Sequence, residues 1–357
     1  MKIPNALVRV LTPLIAGVSS MRRRAIPPQL AIMEMATGIW PAMILRAFVK
    51  SGIADRLARS PASPDEIARD LSLHAPSVRR VLRFLASYDV VRASARTFEL
   101  TKIGRCAASD DSTSAADFLS YVGEPWQLMP WTQLDETVRT GKPAFDLTYG
   151  TGFFEYLKGH PEVAHFFDAA MNDVAKLHAT AIAEAYDFSG ASPLADIGGG
   201  SGLVLHAILS RYPKAHGILS DLPAAVEKAR AQLAGLAGRV EFVAGDFFES
   251  VPAAKTYVLT HILHDWDDER SLKLLRAIGR SIEPDGHVLV AEALAEDDPN
   301  VWSAAALTDA QMLTMLTGRE RTRAEYAELL HQAGFTVKRI VPTSAAESII
   351  VCHKLSS

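Results

Sequence analysis

Cysteine is nearly missing from this 357-residue chain, which holds only Cys106 and Cys352. Two thiols cannot build a disulfide framework, and their spacing fits no metal motif, so a reducing compartment, the cytoplasm, is the expected setting. An excess of positive charge is missing as well. Lys and Arg number 37 against 41 Asp and Glu, a formal net charge of −4. That balance excludes an electrostatic grip on nucleic acid or on an anionic membrane as the main task. No run of roughly 18 uncharged apolar residues occurs, so no membrane span is expected. Residues Ala6 to Val18 are apolar enough to imitate a signal-peptide core. Arg9 interrupts them, however, and Met21-Arg22-Arg23-Arg24 puts the positive charge on the wrong side, so the stretch reads as a terminal helix.

What is present is a globular composition, 48% hydrophobic and 22% charged, long enough for two domains of ordinary size. The first half reads as helical. Leu30 to Ser51 is apolar and ends at Gly52. Ser63-Pro64-Asp65-Glu66 has an N-cap serine followed by proline at the first helical position, which predicts a helix from Pro64 to Leu71. A second helix starts near Ala75-Pro76, with Val78, Val81, Leu82 and Leu85 at helical spacing. Val90-Val91 and Thr97 to Leu100 then suggest two short strands around a turn. Helix, turn, helix and hairpin is the pattern of a winged helix. Arg79, Arg80 and Arg83 on its second helix would suit DNA. The acidic overall balance instead favours a protein-interaction domain of that shape. The expected divisions are residues 1–110 for this domain, 111–185 for an aromatic-rich helical connector, and 186–357 for a catalytic domain.

From Pro193 apolar runs alternate with helical stretches: Leu194–Ile197, Ala215–Leu219, Val240–Val243, Thr256–Leu263, His287–Ala291, Phe335–Val341 and Ser348–His353. Seven strands with helices between them predict an α/β, Rossmann-like domain, a mostly parallel sheet covered on both faces. The first strand leads into Asp196-Ile197-Gly198-Gly199-Gly200-Ser201-Gly202, and a helix follows. Glycines there let the backbone turn sharply and let a ligand approach it. A dinucleotide site wants G-x-G-x-x-G. Counted from Gly198 the third glycine is replaced by Leu203, and counted from Gly200 it is replaced by Leu205, so that fingerprint fails. Asp196 would sit poorly beside a pyrophosphate but suits a cationic amino group, such as that of S-adenosylmethionine.

Asp221 lies 25 residues after Asp196, and Asp246 lies 25 residues after Asp221. Each ends a predicted strand, so the three carboxylates should converge where ligands bind in open parallel sheets. The second can accept hydrogen bonds from ribose hydroxyls. The third can take the adenine amino group, with Phe247 or Phe248 against the ring face. At the end of the fourth strand comes His261-Ile262-Leu263-His264-Asp265-Trp266. An imidazole with an ordinary pKa of about 6.5 can take the proton of a hydroxyl as its oxygen attacks a methyl group. A carboxylate should orient such a base, and Glu292 and Glu320 are the candidates. The His–Asp pair lacks an H-x-x-x-H or E-x-x-H partner, so no metal is expected there. An apolar acceptor pocket would draw on Phe153, Phe154, Phe166, Met171, Asn172, Trp266, Met312 and Met315, since thioethers and ring faces pack well on aromatic molecules.

The Asp196–Gly202 loop, Asp221-Leu222-Pro223, Gly245-Asp246-Phe247-Phe248, Leu263 to Glu269, and Gly318 to Thr322 followed by Ala333-Gly334-Phe335 together resemble the plant caffeate and bacterial antibiotic O-methyltransferases. The resemblance covers nearly the whole chain. It implies S-adenosylmethionine as methyl donor, S-adenosylhomocysteine as its product, and a last strand that is antiparallel. It implies a homodimer made through the N-terminal domain. It puts the catalytic histidine at His264, with supporting carboxylates at Glu292 and Glu320. Its cofactor contacts fall on Gly198, Asp221, Asp246 and Phe247, and Asp196, Gly200, Leu222, Gly245 and Thr260 join them as candidate cofactor-binding residues. Plant members carry a lysine four residues before the histidine, where this chain has Thr260. The implied substrate is a hydroxyl of a small aromatic secondary metabolite, such as a phenazine, an anthracycline or another phenol. Relatives that hydroxylate or decarboxylate typically lack the histidine, and His264 favours methyl transfer over that alternative.

Overall fold

The computed structural model describes residues 25–355, so the expected terminal helix at Ala6–Val18 lies outside the described residues. The chain divides into two compact units. One comprises residues 25–132 and 154–174, the other 133–153 and 175–355.

The first unit is mainly helical. The apolar stretch forms two helices, Pro28–Ala36 and Ile39–Lys50, instead of the single one expected from Leu30 to Ser51. The break falls at Thr37-Gly38, where the Thr37 hydroxyl bonds back to the Glu34 carbonyl. The stretch Pro28–Lys50 is long and apolar enough to cross a membrane by length and composition alone. The helix Pro64–Leu71 is closed by a full capping box between Ser63 and Glu66. The helix Ala75–Ala86 buries Val78, Leu82 and Leu85. Strands β1 (Val91–Ala93) and β2 (Phe98–Leu100) pair antiparallel as the small wing. These elements share one apolar core with Phe48, Ile53 and Ile67.

The second unit is built on a seven-stranded sheet. Its strands are β3 (Leu194–Ile197), β4 (Gly217–Asp221), β5 (Val240–Ala244), β6 (Ala254–Thr260), β7 (Ile282–Ala293), β8 (Phe335–Pro342) and β9 (Glu347–Lys354). The order is β5-β4-β3-β6-β7-β9-β8, and β9 runs antiparallel to both neighbours. β3 sits centrally and is buried along its whole length, as a strand covered on both faces should be. One core cluster gathers Leu205, Leu209, Leu219 and Val258, and the other Ile197, Leu259, Leu275 and Tyr257.

The fourth strand of the sheet departs from its sequence reading. The apolar run predicts a strand to Leu263, but β6 stops at Thr260. His261 turns to φ 54°, and Leu263–Asp265 form a 3-10 turn. The cause is a buried carboxylate on the neighbouring strand. Glu292 Oε1 accepts the backbone N–H groups of Ile262 at 3.1 Å, Leu263 at 2.9 Å and His264 at 3.4 Å, drawing them out of the ladder.

Candidate active site

The glycine loop leaves β3 and enters the helix Leu203–Arg211. Gly198 has φ 67°, and a Cβ there would run into the side chain of Ile262, so only glycine fits. Asp221, the last residue of β4, reaches back to this loop. Its Oδ2 accepts the Gly200 N–H at 2.8 Å, and its Oδ1 accepts the Leu222 N–H at 2.6 Å. Asp246 follows β5 and accepts the Phe248 N–H at 2.8 Å. Phe247 lies against Gly198 and packs edge-on to Phe248, with ring centroids 4.8 Å apart. The structure therefore brings Asp196, Gly198, Gly200, Asp221, Leu222, Gly245, Asp246, Phe247 and Thr260 to the carboxyl ends of four adjacent strands, β3 to β6.

Two atoms of this rim test whether the cofactor fits. Asp196 Oδ2 and Thr260 Oγ1 are buried without a hydrogen-bond partner. Such atoms are rare in native proteins, and a ligand is one standard way to satisfy them. Burial, and then the nearby Asp221 carboxylate, push the Asp196 carboxyl up to about 7. A buried carboxylate short of a counter-charge suits a ligand carrying an ammonium group.

His264 lies on the 3-10 turn beyond β6 and is 7% exposed. Its Nδ1 is 2.8 Å from Glu320 Oε1 and 3.6 Å from Glu292 Oε2, while its Nε2 is 3.3 Å from Asp265 Oδ1. Burial opposes its charged form. Glu292 first, then Asp265 and Glu320, outweigh burial and push the imidazole up to about 10. Burial in turn raises the carboxyl of Glu292, and raises that of Asp265 to about 6. The cluster is thus one buried imidazole flanked by three carboxyl groups.

Two further groups hold this turn in place. Arg321 is fully buried and donates to the Leu263 carbonyl at 2.8 Å and the Trp266 carbonyl at 2.9 Å, on either side of His264. The same guanidinium forks onto Asp268 Oδ1 at 2.7 and 3.0 Å. Gly318 backs directly onto the His264 carbonyl, where any Cβ would collide. Asp309 Oδ1, on the helix Ala304–Met315, accepts the Glu320 N–H at 2.9 Å. Sequence reasoning missed Arg321 and Asp309. The repeated arginine in Gly318–Thr322 was the available signal for the first, and nothing in the local pattern marks the second.

The expected acceptor-lining residues divide between the two units. Phe153, Trp266, Met312 and Met315 belong to the sheet-containing unit, and Phe154, Phe166, Met171 and Asn172 to the other. Met312 and Met315 are buried on the helix that Asp309 ties to Glu320. Phe153 is buried edge-on to Phe145, with ring centroids 5.2 Å apart. Trp266 stands edge-on to Phe248 at 4.8 Å and to Phe247 at 6.2 Å. Lys50 lies over the ring of Phe166, 4.9 Å from its centroid.

Known proteins are similar to this chain. Residues 131–336 match the O-methyltransferase domain family, and residues 33–110 match the O-methyltransferase dimerisation domain. The mitomycin biosynthesis 6-O-methyltransferase of Streptomyces lavendulae is 33% identical over 90% of this chain and 93% of its own length. The phenazine O-methyltransferase PhzM of Lysobacter antibioticus is 36% identical over 92% of this chain and 97% of its own. Among solved structures, that of CalO1, a methyltransferase in calicheamicin biosynthesis, in its SAH-bound form, superposes with a TM-score of 0.83 at 34% identity. It covers 92% of this chain and 98% of that one.

Proposed function

The chain belongs to the O-methyltransferase family, and from that premise we propose that it methylates a hydroxyl of a small polycyclic aromatic metabolite, with a hydroxyphenazine as the representative acceptor. The observation that carries this reading is the 2.8 Å pairing of His264 Nδ1 with Glu320, on a turn that directly follows the cofactor-side strand β6. S-adenosylmethionine, when bound, supplies a methyl group already made electrophilic by its sulfonium.

The chain's own residues do the rest. Asp196 and Thr260 would take the amino-acid end of the cofactor, since each has a buried oxygen in want of a partner. Asp221 would hold the ribose hydroxyls, and Asp246 the adenine amino group with Phe247 on the ring face. Gly198, Gly200, Gly245 and Leu222 shape the approach. His264 would accept the hydroxyl proton at Nε2 while Nδ1 stays with Glu320, and Glu292 and Asp265 would stabilise the imidazolium that forms. The carboxyl groups around His264 favour its protonated form, the form the ring holds once it has taken the hydroxyl proton. Met312 and Met315 would supply polarizable apolar surface to the acceptor pocket. The phenazine assignment draws on the relative that is named for that acceptor.

The dimerisation match points to a homodimer. Leu30, Ile32, Met33, Met35, Ile39 and Trp40 are exposed large apolar residues on the two leading helices, and a second copy would cover them. The test of the activity is incubation with S-adenosylmethionine and a hydroxyphenazine, followed by mass spectrometry. A product heavier by one CH2 unit supports the reading. Consumption of the acceptor without that gain overturns it in favour of non-methylating chemistry.

A further inference from the structure

Behind the base, three residues far apart in sequence meet within the sheet-containing unit. His178 lies on the helix Pro161–Ala185, His261 on the turn after β6, and Glu347 at the start of β9. Glu347 Oε1 is 2.9 Å from His261 Nε2 and 3.5 Å from His178 Nδ1. The three ligand atoms lie within 4.8 Å of one another. His178 is 5% exposed and Glu347 6%, while His261 is half-buried.

Two atoms here need a partner. His178 Nδ1 and Glu347 Oε2 are buried without a hydrogen bond. Buried polar atoms are nearly always satisfied, so two such orphans within one His–His–Glu cluster need an explanation. An imidazole nitrogen and an ionised carboxylate both offer lone pairs, and a cation satisfies both at once. His261 also holds a left-handed backbone at φ 54°, which a non-glycine residue rarely adopts. Residues in such conformations gather at functional sites and ligand clamps.

We propose that His178, His261 and Glu347 form a binding site for one divalent transition-metal ion, with Zn2+ as the preferred occupant. Two imidazole nitrogens and one carboxylate oxygen are a donor set that zinc takes, with a fourth position left open. Zinc bonds of roughly 2.0–2.1 Å in a tetrahedron put neighbouring donor atoms about 3.4 Å apart. The observed separations of 2.9 and 3.5 Å lie on either side of that edge. Mg2+ and Ca2+ prefer all-oxygen sets and are disfavoured. The other nitrogen of His261 faces Glu292 Oε2 at 3.8 Å. A metal-bound histidine commonly directs its second nitrogen to a carboxylate in this way. The ion would pin the helix, the turn and β9 to one another, one imidazole ring away from His264, whose centroid is 4.9 Å from that of His261. The site stands independently of the proposed reaction.

The test uses the full chain, stripped with EDTA and titrated calorimetrically with ZnCl2, with MgCl2 as the control and CoCl2 as a spectroscopic probe. The expected result is one Zn2+ per chain, no response to Mg2+, and the visible absorption of tetrahedral Co2+. His178→Gln and Glu347→Gln should each weaken Zn2+ binding by more than the roughly 10–100-fold that loss of an outer partner costs. Absence of stoichiometric Zn2+ binding overturns the proposal, and so does binding that both variants leave unchanged. If Glu347→Gln fails to fold, His178→Gln alone carries the same two outcomes.

Discussion

Glu320 Oε1 lies 2.8 Å from His264 Nδ1, both side chains being buried. That contact fixes Nδ1 on Glu320, while Nε2 lies 3.3 Å from Asp265 Oδ1, and in the proposed reaction Nε2 is the nitrogen that takes the acceptor's proton. Glu320 is itself held by its backbone, through Asp309. Replacing Glu320 by Gln keeps the shape but removes the charge that orients the ring and supports the imidazolium. Turnover of a hydroxyphenazine should fall by about 10–100-fold, while the cofactor affinity stays within about twofold. Initial-rate kinetics together with a calorimetric cofactor titration separate the two effects.

The cofactor site should respond to pH through Asp196. Its carboxyl is pushed up to about 7 by burial and by Asp221. Below that pH it is protonated and cannot pair with the ammonium group, and above it the pairing is complete. Cofactor affinity should therefore rise as pH increases through about 7 and then level off. In Asp196→Asn it should be weaker and nearly independent of pH over the same range. Calorimetric titration across the range checks both, and an affinity that falls with rising pH in the parent enzyme contradicts the assignment.

Arg321 offers a stability test. Arg321→Met would leave the Leu263 and Trp266 carbonyls without their donor and remove the fork onto Asp268. Because Asp268 is half in water, most of the cost comes from the stranded carbonyls. A loss of about 3 kcal/mol is expected in urea denaturation. Arg321→Lys should recover only part of it, since an ammonium cannot span both carbonyls and the carboxylate.

Much of the cofactor side was legible because it depends on local pattern. Three consecutive glycines after an apolar run, and acids at even spacing, place Asp196, Asp221 and Asp246 at strand ends, which is where they stand. The N-cap serine Ser63 is likewise local, and the structure adds Glu66 to it as a capping box. The end of β6 was not legible. Ile262 and Leu263 look like strand residues, and only a carboxylate about 30 residues away in sequence, Glu292 on the paired strand β7, pulls their N–H groups out of the ladder. The break at Thr37-Gly38 was hidden for a similar reason, since apolar residues continue on both sides of it. His178 and Glu347 carry no motif, because their partner His261 is reached only through the folded chain.

The most direct measurement is single-turnover transfer of a radiolabelled methyl group from S-adenosylmethionine to a hydroxyphenazine, comparing the parent enzyme with His264→Ala. The expected result is a loss of transfer rate of roughly 10²–10⁴-fold, with cofactor affinity preserved. Transfer at the parent rate in His264→Ala would contradict the assignment of His264 as the base.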